Sequence, residues 1–178
     1  MAFEVKDGKV NVKPVYNGEI KEAEISFDLP EEDYGFEDVV FRSPVKVTGK
    51  VTGKAQGKEK SEGYTELDIT VYAEISTECA RCLEPINETI EFSKIYGLTE
   101  SKVSDDSEDY ISTSGGELDI EECARSLFIL NFPTRFLCDE DCKGLCCSCG
   151  KNLNDGECDC NKKEIDPRLA VLKNLKFD

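Results

Sequence analysis

Leu67-Asp-Ile69-Thr-Val71-Tyr-Ala73-Glu-Ile75-Ser-Thr77-Glu-Cys79-Ala-Arg81-Cys82 changes character once, at Glu78. Before it, Leu67, Ile69, Val71, Ala73 and Ile75 alternate with Asp68, Thr70, Tyr72 and Glu74. That is the period of a half-buried strand. After it comes Cys-x-x-Cys, whose two-residue gap lets backbone N–H groups turn toward both sulfurs. A strand therefore runs straight into half a metal site, and this junction decides the fold.

Upstream, Val45, Val47, Gly49, Val51, Gly53 and Ala55 share one parity, while Lys46, Lys50, Lys54 and Lys58 fall on the other. This is a second long strand, joined to the first by a turn around Ser61-Glu-Gly63. Paired antiparallel, its lysine face lies beside the acidic face of its partner, a favourable cross-strand arrangement. The lysines are accordingly read as a neutralised, solvated face rather than a nucleic-acid site. The small inward residues predict strong curvature, as in a partly closed barrel. After Pro85, Ile86, Ile90 and Phe92 continue the alternation as a return strand. Residues 99–117 are acidic and serine-rich, a loop interrupted by a short strand at Tyr110-Ile111. Nearer the N-terminus, Val10 and Val12 alternate with polar residues, and Tyr16-Asn17-Gly18-Glu19 is a two-residue hairpin signal. Ala23, Ile25, Phe27 and Leu29 predict a strand, followed by a Pro30–Gly35 loop and a short apolar run, Val39-Val40-Phe41.

Two helices are expected. Asp119 is an N-cap with Glu122 three residues on. Ile120, Cys123, Ala124, Leu127, Phe128 and Leu130 form the apolar stripe, and Pro133 ends the helix. Near the C-terminus Asp166 caps a second one, with Pro167 at its first position and Leu169, Leu172 and Leu175 packed back on the body.

Between the helices lies Cys138-Asp-Glu-Asp-Cys142-Lys-Gly-Leu-Cys146-Cys147-Ser-Cys149-Gly150-Lys-Asn-Leu-Asn-Asp-Gly-Glu-Cys158-Asp-Cys160. Such a segment has too little apolar surface to offset the entropy of ordering its backbone. Thiolates around a metal ion supply what is missing, because binding free energy becomes folding free energy. Of ten cysteines, Cys123 sits alone on an apolar stripe and reads as a small core residue. Cys147 is adjacent to a better-placed ligand, so eight remain in four pairs: Cys79/Cys82, Cys138/Cys142, Cys146/Cys149 and Cys158/Cys160. These divide between two tetrahedral sites in three ways. Loop closure favours joining Cys146/Cys149 to Cys158/Cys160 through the short loop 150–157. Joining Cys138/Cys142 to Cys146/Cys149 is shorter still but crowds four thiolates. The first partition leaves Cys79/Cys82 with Cys138/Cys142. Two Zn2+ ions are expected. An iron–sulfur cluster is the competing metal, although the spacing matches neither common ferredoxin pattern. A thiol redox centre is the other alternative, but it calls for Cys-x-x-Cys at a helix N-terminus.

The composition narrows the function. There is no histidine, which removes His-based general base catalysis. All-cysteine zinc sites are closed, without an open coordination position, and the chain is not expected to be an enzyme. With 38 Asp and Glu against 22 Lys and Arg, the net charge is −16, so a basic partner is the electrostatic complement and binding to naked nucleic acid is weak. No apolar run approaches a membrane span and the N-terminus has no apolar signal region, so a cytoplasmic location without membrane attachment is expected. A reducing compartment then favours metal over disulfides.

Three motifs in this order, Glu78-Cys79-Ala-Arg81-Cys82-Leu83-Glu84, Cys142-Lys-Gly144-Leu145-Cys146-x-x-Cys149-Gly150-x-Asn152-Leu153-Asn154 with Cys158-x-Cys160, and Asp166-Pro167-Arg168-Leu169-Ala170-x-Leu172, resemble the YceD family of bacterial and plastid proteins. The resemblance covers roughly residues 40 to 176. It implies a cytoplasmic role in large ribosomal subunit biogenesis, needed for accumulation of large-subunit ribosomal RNA. The partner so implied is a large-subunit ribosomal protein or precursor ribosomal RNA. It implies no enzymatic activity. Some members lack the second cysteine motif, which implies that the local site is separable. The reading is thus an α+β fold, mainly antiparallel β, with a curved sheet or partly closed barrel, two short helices and a zinc-organised cysteine-rich segment. Residues 1–132 form the β-rich core and 133–178 the metal-binding segment with the C-terminal helix.

Overall fold

A computed structural model describes residues 2–30, 34–36, 38–54, 64–100 and 109–160. The elements are β1 (Lys9–Asn11), α1 (Lys13–Tyr16), β2 (Glu22–Asp28), β3 (Val40–Phe41), β4 (Lys46–Lys54), β5 (Tyr64–Glu78), β6 (Pro85–Thr99), β7 (Tyr110–Ser112), β8 (Glu117–Asp119) and α2 (Ile120–Asn131). The main sheet has the order β2-β4-β5-β6-β7, with β3 also paired to β5. A two-stranded sheet joins β1 to β8.

The alternation places the core. Leu67, Ile69, Val71, Ala73 and Ile75 of β5 are completely buried, as are Ala23 and Ile25 of β2 and Val47 and Val51 of β4. Helix α2 lies against this face with Ile120, Ala124, Leu127 and Phe128 inward. Asp119 caps it, its carboxylate accepting the Glu122 N–H at 3.1 Å. The Phe128 ring has Tyr34, Phe36, Phe41, Phe92 and Phe132 around it, with centroids 5.3 to 6.3 Å away. Leu130 departs from the expected stripe and is 83% exposed. At ~100° per residue it falls roughly a quarter turn from the line through Ala124 and Leu127.

The sheet is mixed and not closed, which corrects the partly closed barrel. β2 through β6 pair antiparallel, but β7 lies parallel to β6. A parallel neighbour needs a long return connection, and the chain between Thr99 and Tyr110 supplies it. The inward glycines have another cause than closure. A Cβ on Gly53 would stand 2.9 Å from Val15 Cγ1, and one on Gly49 would meet the Asp68 carbonyl at 3.3 Å. They make room for α1 and for the neighbouring strand. The expected hairpin at Tyr16–Glu19 is instead the end of α1. Pro14 opens that helix, Asn11 Oδ1 accepts the Lys13 N–H, and Gly18 terminates it at φ +71°. Asn-Gly suits a left-handed helix stop as well as a hairpin.

On the outer face the register sets Lys50 between Glu24 of β2 and Asp68 of β5. Its Nζ reaches Glu22 at 2.7 Å. The expected turn at 61–63, the end of the lysine row beyond Lys54, most of the acidic loop and the C-terminal helix from Asp166 lie outside the described residues. Among the described residues no helix is long and apolar enough to cross a membrane.

Candidate metal centres

The β5–β6 hairpin ends in a tight turn that presents two sulfurs. The Cys79 N–H donates to the Glu84 carbonyl and the Leu83 N–H to the Cys79 carbonyl, each at 2.9 Å. Leu83 takes φ +60°, a conformation that bulky side chains rarely adopt, so the turn is held from outside. Its neighbour is the chain after α2. The Ala80 N–H donates to the Phe136 carbonyl at 2.9 Å, which brings Cys138 to the hairpin tip. Arg81 Nη1 donates to the carbonyls of Glu140 and Cys142, both at 2.9 Å. The guanidinium thus fixes the turn between Cys138 and Cys142.

The sulfurs of Cys79, Cys82, Cys138 and Cys142 lie within 4.8 Å of one another. Two separations are 3.8 Å, Cys79 to Cys142, and 3.5 Å, Cys82 to Cys138. Four thiolates at ~2.3 Å from a tetrahedral centre stand about 3.8 Å apart, so the donor set fits a metal ion. Cys79, Cys82 and Cys142 are buried, with Ile86, Leu137 and Leu145 packed against them.

A second group joins Cys146, Cys149, Cys158 and Cys160, again with sulfurs within 4.8 Å of one another. It is built locally. The Cys146 N–H donates to the Lys151 carbonyl and the Gly150 N–H to the Cys146 carbonyl, both at 2.8 Å. Gly150 takes φ +73° at the turn. Lys151 Nζ closes the loop on the Glu157 carbonyl at 2.8 Å. Cys146 is buried, Cys149 exposed, and Cys158 and Cys160 lie between. Cys147 is exposed and outside the group, while Cys123 is half-buried on α2, its thiol pushed up to about 12 by burial.

Within each group the thiols are unequal. Backbone hydrogen bonding from Cys138, and then from Arg81 and Cys82, pulls Cys79 down to about 6. The Asn154 amide lowers Cys142. The backbone of Ser148 and Cys149 lowers Cys146 to about 6. Hydrogen-bonded neighbours Cys82 and Cys142 push Cys138 up to about 12, as Cys149 does for Cys160. Hydrogen-bond donors thus favour the thiolate form at Cys79, Cys142 and Cys146, while neighbouring sulfurs disfavour it at Cys138 and Cys160.

The eight candidate sulfurs therefore fall into the two groups expected from a short closing loop without crowding. Sequence reasoning assigned no role to Arg81, Asn152 or Asn154. Asn154 Nδ2 donates to Cys142 Sγ at 3.2 Å, and Asn152 Nδ2 to Glu84 Oε1 at 3.4 Å. The signal was their place beside a cysteine knuckle, where short amides cap thiolates and turns.

Residues 67–176 match the family model described as Large ribosomal RNA subunit accumulation protein YceD. The chain belongs to the YceD family. An Arabidopsis thaliana protein named Large ribosomal RNA subunit accumulation protein YCED homolog 1, chloroplastic, is 42% identical over 60 residues, which is 34% of this chain and 19% of that protein. Uncharacterized proteins of Mycobacterium bovis and Mycobacterium tuberculosis are 32% identical over 110 residues, 60% of this chain and 53% of theirs. The chain thus spans about half or less of these relatives. No solved structure matches it. Both cysteine groups of this YceD protein fall inside the matched residues.

Proposed function

We propose that this YceD protein is a non-enzymatic, zinc-binding factor in large ribosomal subunit biogenesis, acting on the accumulation of large-subunit ribosomal RNA. The family match over residues 67–176 carries the reading. The family's name describes accumulation of a ribosomal subunit RNA rather than a catalysed reaction. Cys79, Cys82, Cys138 and Cys142 would hold one Zn2+, and Cys146, Cys149, Cys158 and Cys160 the other. With four protein sulfurs each, both ions would be structural, the first fixing the chain after α2 to the hairpin tip and the second closing the local loop 150–157. The two parts, 1–132 and 133–178, would then act as one body.

The partner we infer is a basic large-subunit ribosomal protein, with precursor ribosomal RNA reached through it. The net charge of −16 favours such a partner over naked RNA, and on β4 Lys50 is matched by Glu22, Glu24 and Asp68 and Lys46 lies opposite Asp28. A groove of about 980 Å3 beside the first cysteine group, with an apolar part formed by Phe36, Val40, Leu83, Ile129, Phe132 and Phe136 and with Asp38, Glu78 and Arg135 also in its lining, offers the contact surface. Val40 is 66% and Leu83 57% exposed there. Charge steers the encounter and the apolar surface gives specificity.

The test is affinity capture of the tagged protein from its own cells at two salt concentrations, with RNA and protein both identified. Capture of a basic ribosomal protein that survives nuclease, weakens with salt and is lost in Val40→Asp supports the reading. Sub-micromolar binding of purified chain to large-subunit RNA with no protein present overturns the partner assignment. Metal analysis of the colourless reduced protein should give two zinc ions per chain. Visible absorbance in protein purified without oxygen would mean iron.

A further inference from the structure

The loop that closes the second cysteine group does not end its contacts there. Asn154 stands between Cys149 and Cys158, yet its side chain is bonded to the first group. Its Oδ1 accepts the Lys143 N–H at 2.8 Å and its Nδ2 donates to Cys142 Sγ at 3.2 Å. The orientation of the amide is fixed by its partners. A backbone N–H can only donate, so the atom facing Lys143 is the oxygen and the nitrogen faces the sulfur.

Neighbouring residues hold the same contact. Asn152 Oδ1 accepts the Asn154 N–H at 3.0 Å, and Asn152 Nδ2 donates to Glu84 beside Cys82. The Leu153 N–H donates to the Gly144 carbonyl at 2.9 Å, and the Leu145 N–H to the Arg81 carbonyl at 3.1 Å. Lys143, Gly144 and Leu145 are the whole connection between Cys142 of one group and Cys146 of the other. They are gripped by the first knuckle on one side and by the 152–154 turn on the other.

We propose that the two cysteine groups are coupled metal sites, with Asn154 as the positioning residue that transmits filling of the second to the affinity of the first. This rests on the metal-binding reading of both groups. An N–H directed at a thiolate spreads its charge and stabilises it as a ligand. Asn154 holds that position only while loop 150–157 is ordered. The loop has almost no apolar residues, so a metal ion in the second group is what orders it. An ion in the second site therefore prepares Cys142 for the first. By linkage the first must strengthen the second by the same factor.

The experiment uses the full chain and competition with a chromophoric zinc chelator, reading the affinity of the first site. The proteins are wild type, Asn154→Ala, Asn154→Asp, Cys158→Ser and the Asn154→Ala/Cys158→Ser double variant. Asn154→Ala should weaken the first site by about 10- to 100-fold, the range for lost outer-shell partners. Cys158→Ser, which empties the second site, should weaken the first by a similar factor. The double variant should then be little worse than either single one, since both remove the same link. Asp keeps the acceptor for Lys143 but sets a carboxylate against the thiolate, so Asn154→Asp should be at least as weak as the alanine variant. If Asp restores wild-type affinity, the residue is only a cap for Lys143 and the coupling is overturned. Additive losses in the double variant, or an unchanged first site in Cys158→Ser, overturn it too. Should Cys158→Ser fail to fold, Asn154→Ala still decides when both sites are read, since loss of the link must weaken the second site by the same factor as the first, and an unchanged second site overturns the coupling. Wild-type protein that takes up no metal overturns the underlying reading instead.

Discussion

The sheet and the cysteine segment solve the same problem with opposite means. On β5, five alternate side chains disappear from solvent and α2 lies over them. Sequence-distant strands are joined there by apolar area, each buried Leu, Ile or Val contributing about 1.5–3 kcal/mol. Between Cys138 and Cys160 the buried side chains are Cys142, Leu145-neighbouring Cys146 and little else. Order comes from backbone N–H groups turned onto carbonyls and sulfurs, closed by whatever draws four thiols together. A sheet tolerates loss of one contact among many. A segment with two centres depends on each.

That contrast can be broken from the sheet side first. Phe128→Ala removes the ring at the centre of the aromatic cluster and should cost the body about 3–5 kcal/mol. Chemical denaturation measures the loss, and metal content should stay unchanged. If zinc is lost with it, the two regions are not held by separate means.

From the other side, Cys79→Ser should remove one ion and lower the thermal transition of the whole domain, because that group ties the hairpin tip to the chain after α2. Cys158→Ser should remove the other ion while β5 amides remain protected from hydrogen exchange. Loss of the global transition in Cys158→Ser with Cys79→Ser unaffected would reverse the ranking of the groups. Cys123→Ala and Cys147→Ser should each leave two ions, since neither sulfur belongs to a group.

A finer probe is Gly144→Ala. Gly144 takes φ +72°, and an added Cβ would stand 3.0 Å from the Arg81 carbonyl oxygen. That oxygen belongs to the backbone of the first knuckle and already accepts the Leu145 N–H. A left-handed non-glycine residue costs about 1–3 kcal/mol, and here the clash adds to it. Weaker zinc retention with an intact sheet is the expected result; a rise in stability would show that the 143–145 link is loose.

The two regions were not equally legible. Parity alone placed the buried face of β4 and β5, because a period of two leaves no choice once one face is apolar. Asp119 and Pro133 bracketed α2, since caps are local chemistry. Loop length taken together with crowding sorted the sulfurs, since both are local. Leu130 slipped because seven apolar residues in eleven leave the stripe's edge ambiguous. β7 arriving parallel, and a sheet left open, depend on connections and tertiary packing with no local signature. The glycines of β4 misled: a missing Cβ marks close approach, but the sequence does not say of what. Asn154 was hidden for a similar reason, since its partners in the first group lie eleven and twelve residues back along the chain.

The smallest effect is expected on the outer face of the sheet, and it bears on function most directly. Lys46 and Lys50 lie on β4 opposite Asp28 and Glu24 of β2 and Tyr72 and Asp68 of β5. Lys50 also pairs with Glu22. Phosphate binding draws its free energy from counterion release by several converging cations. Lys50, set among Glu22, Glu24 and Asp68, has little to offer it, Lys46 lies opposite Asp28, and the chain as a whole repels polyanions. Replacing both lysines by glutamine should therefore leave co-purification with ribosomal protein and RNA unchanged. Capture should remain sensitive to salt and to Val40→Asp. A marked loss of RNA in the glutamine variant, with ribosomal protein retained, would make the lysine row an RNA contact. The sheet would then be a binding surface as well as the scaffold of the cysteine segment.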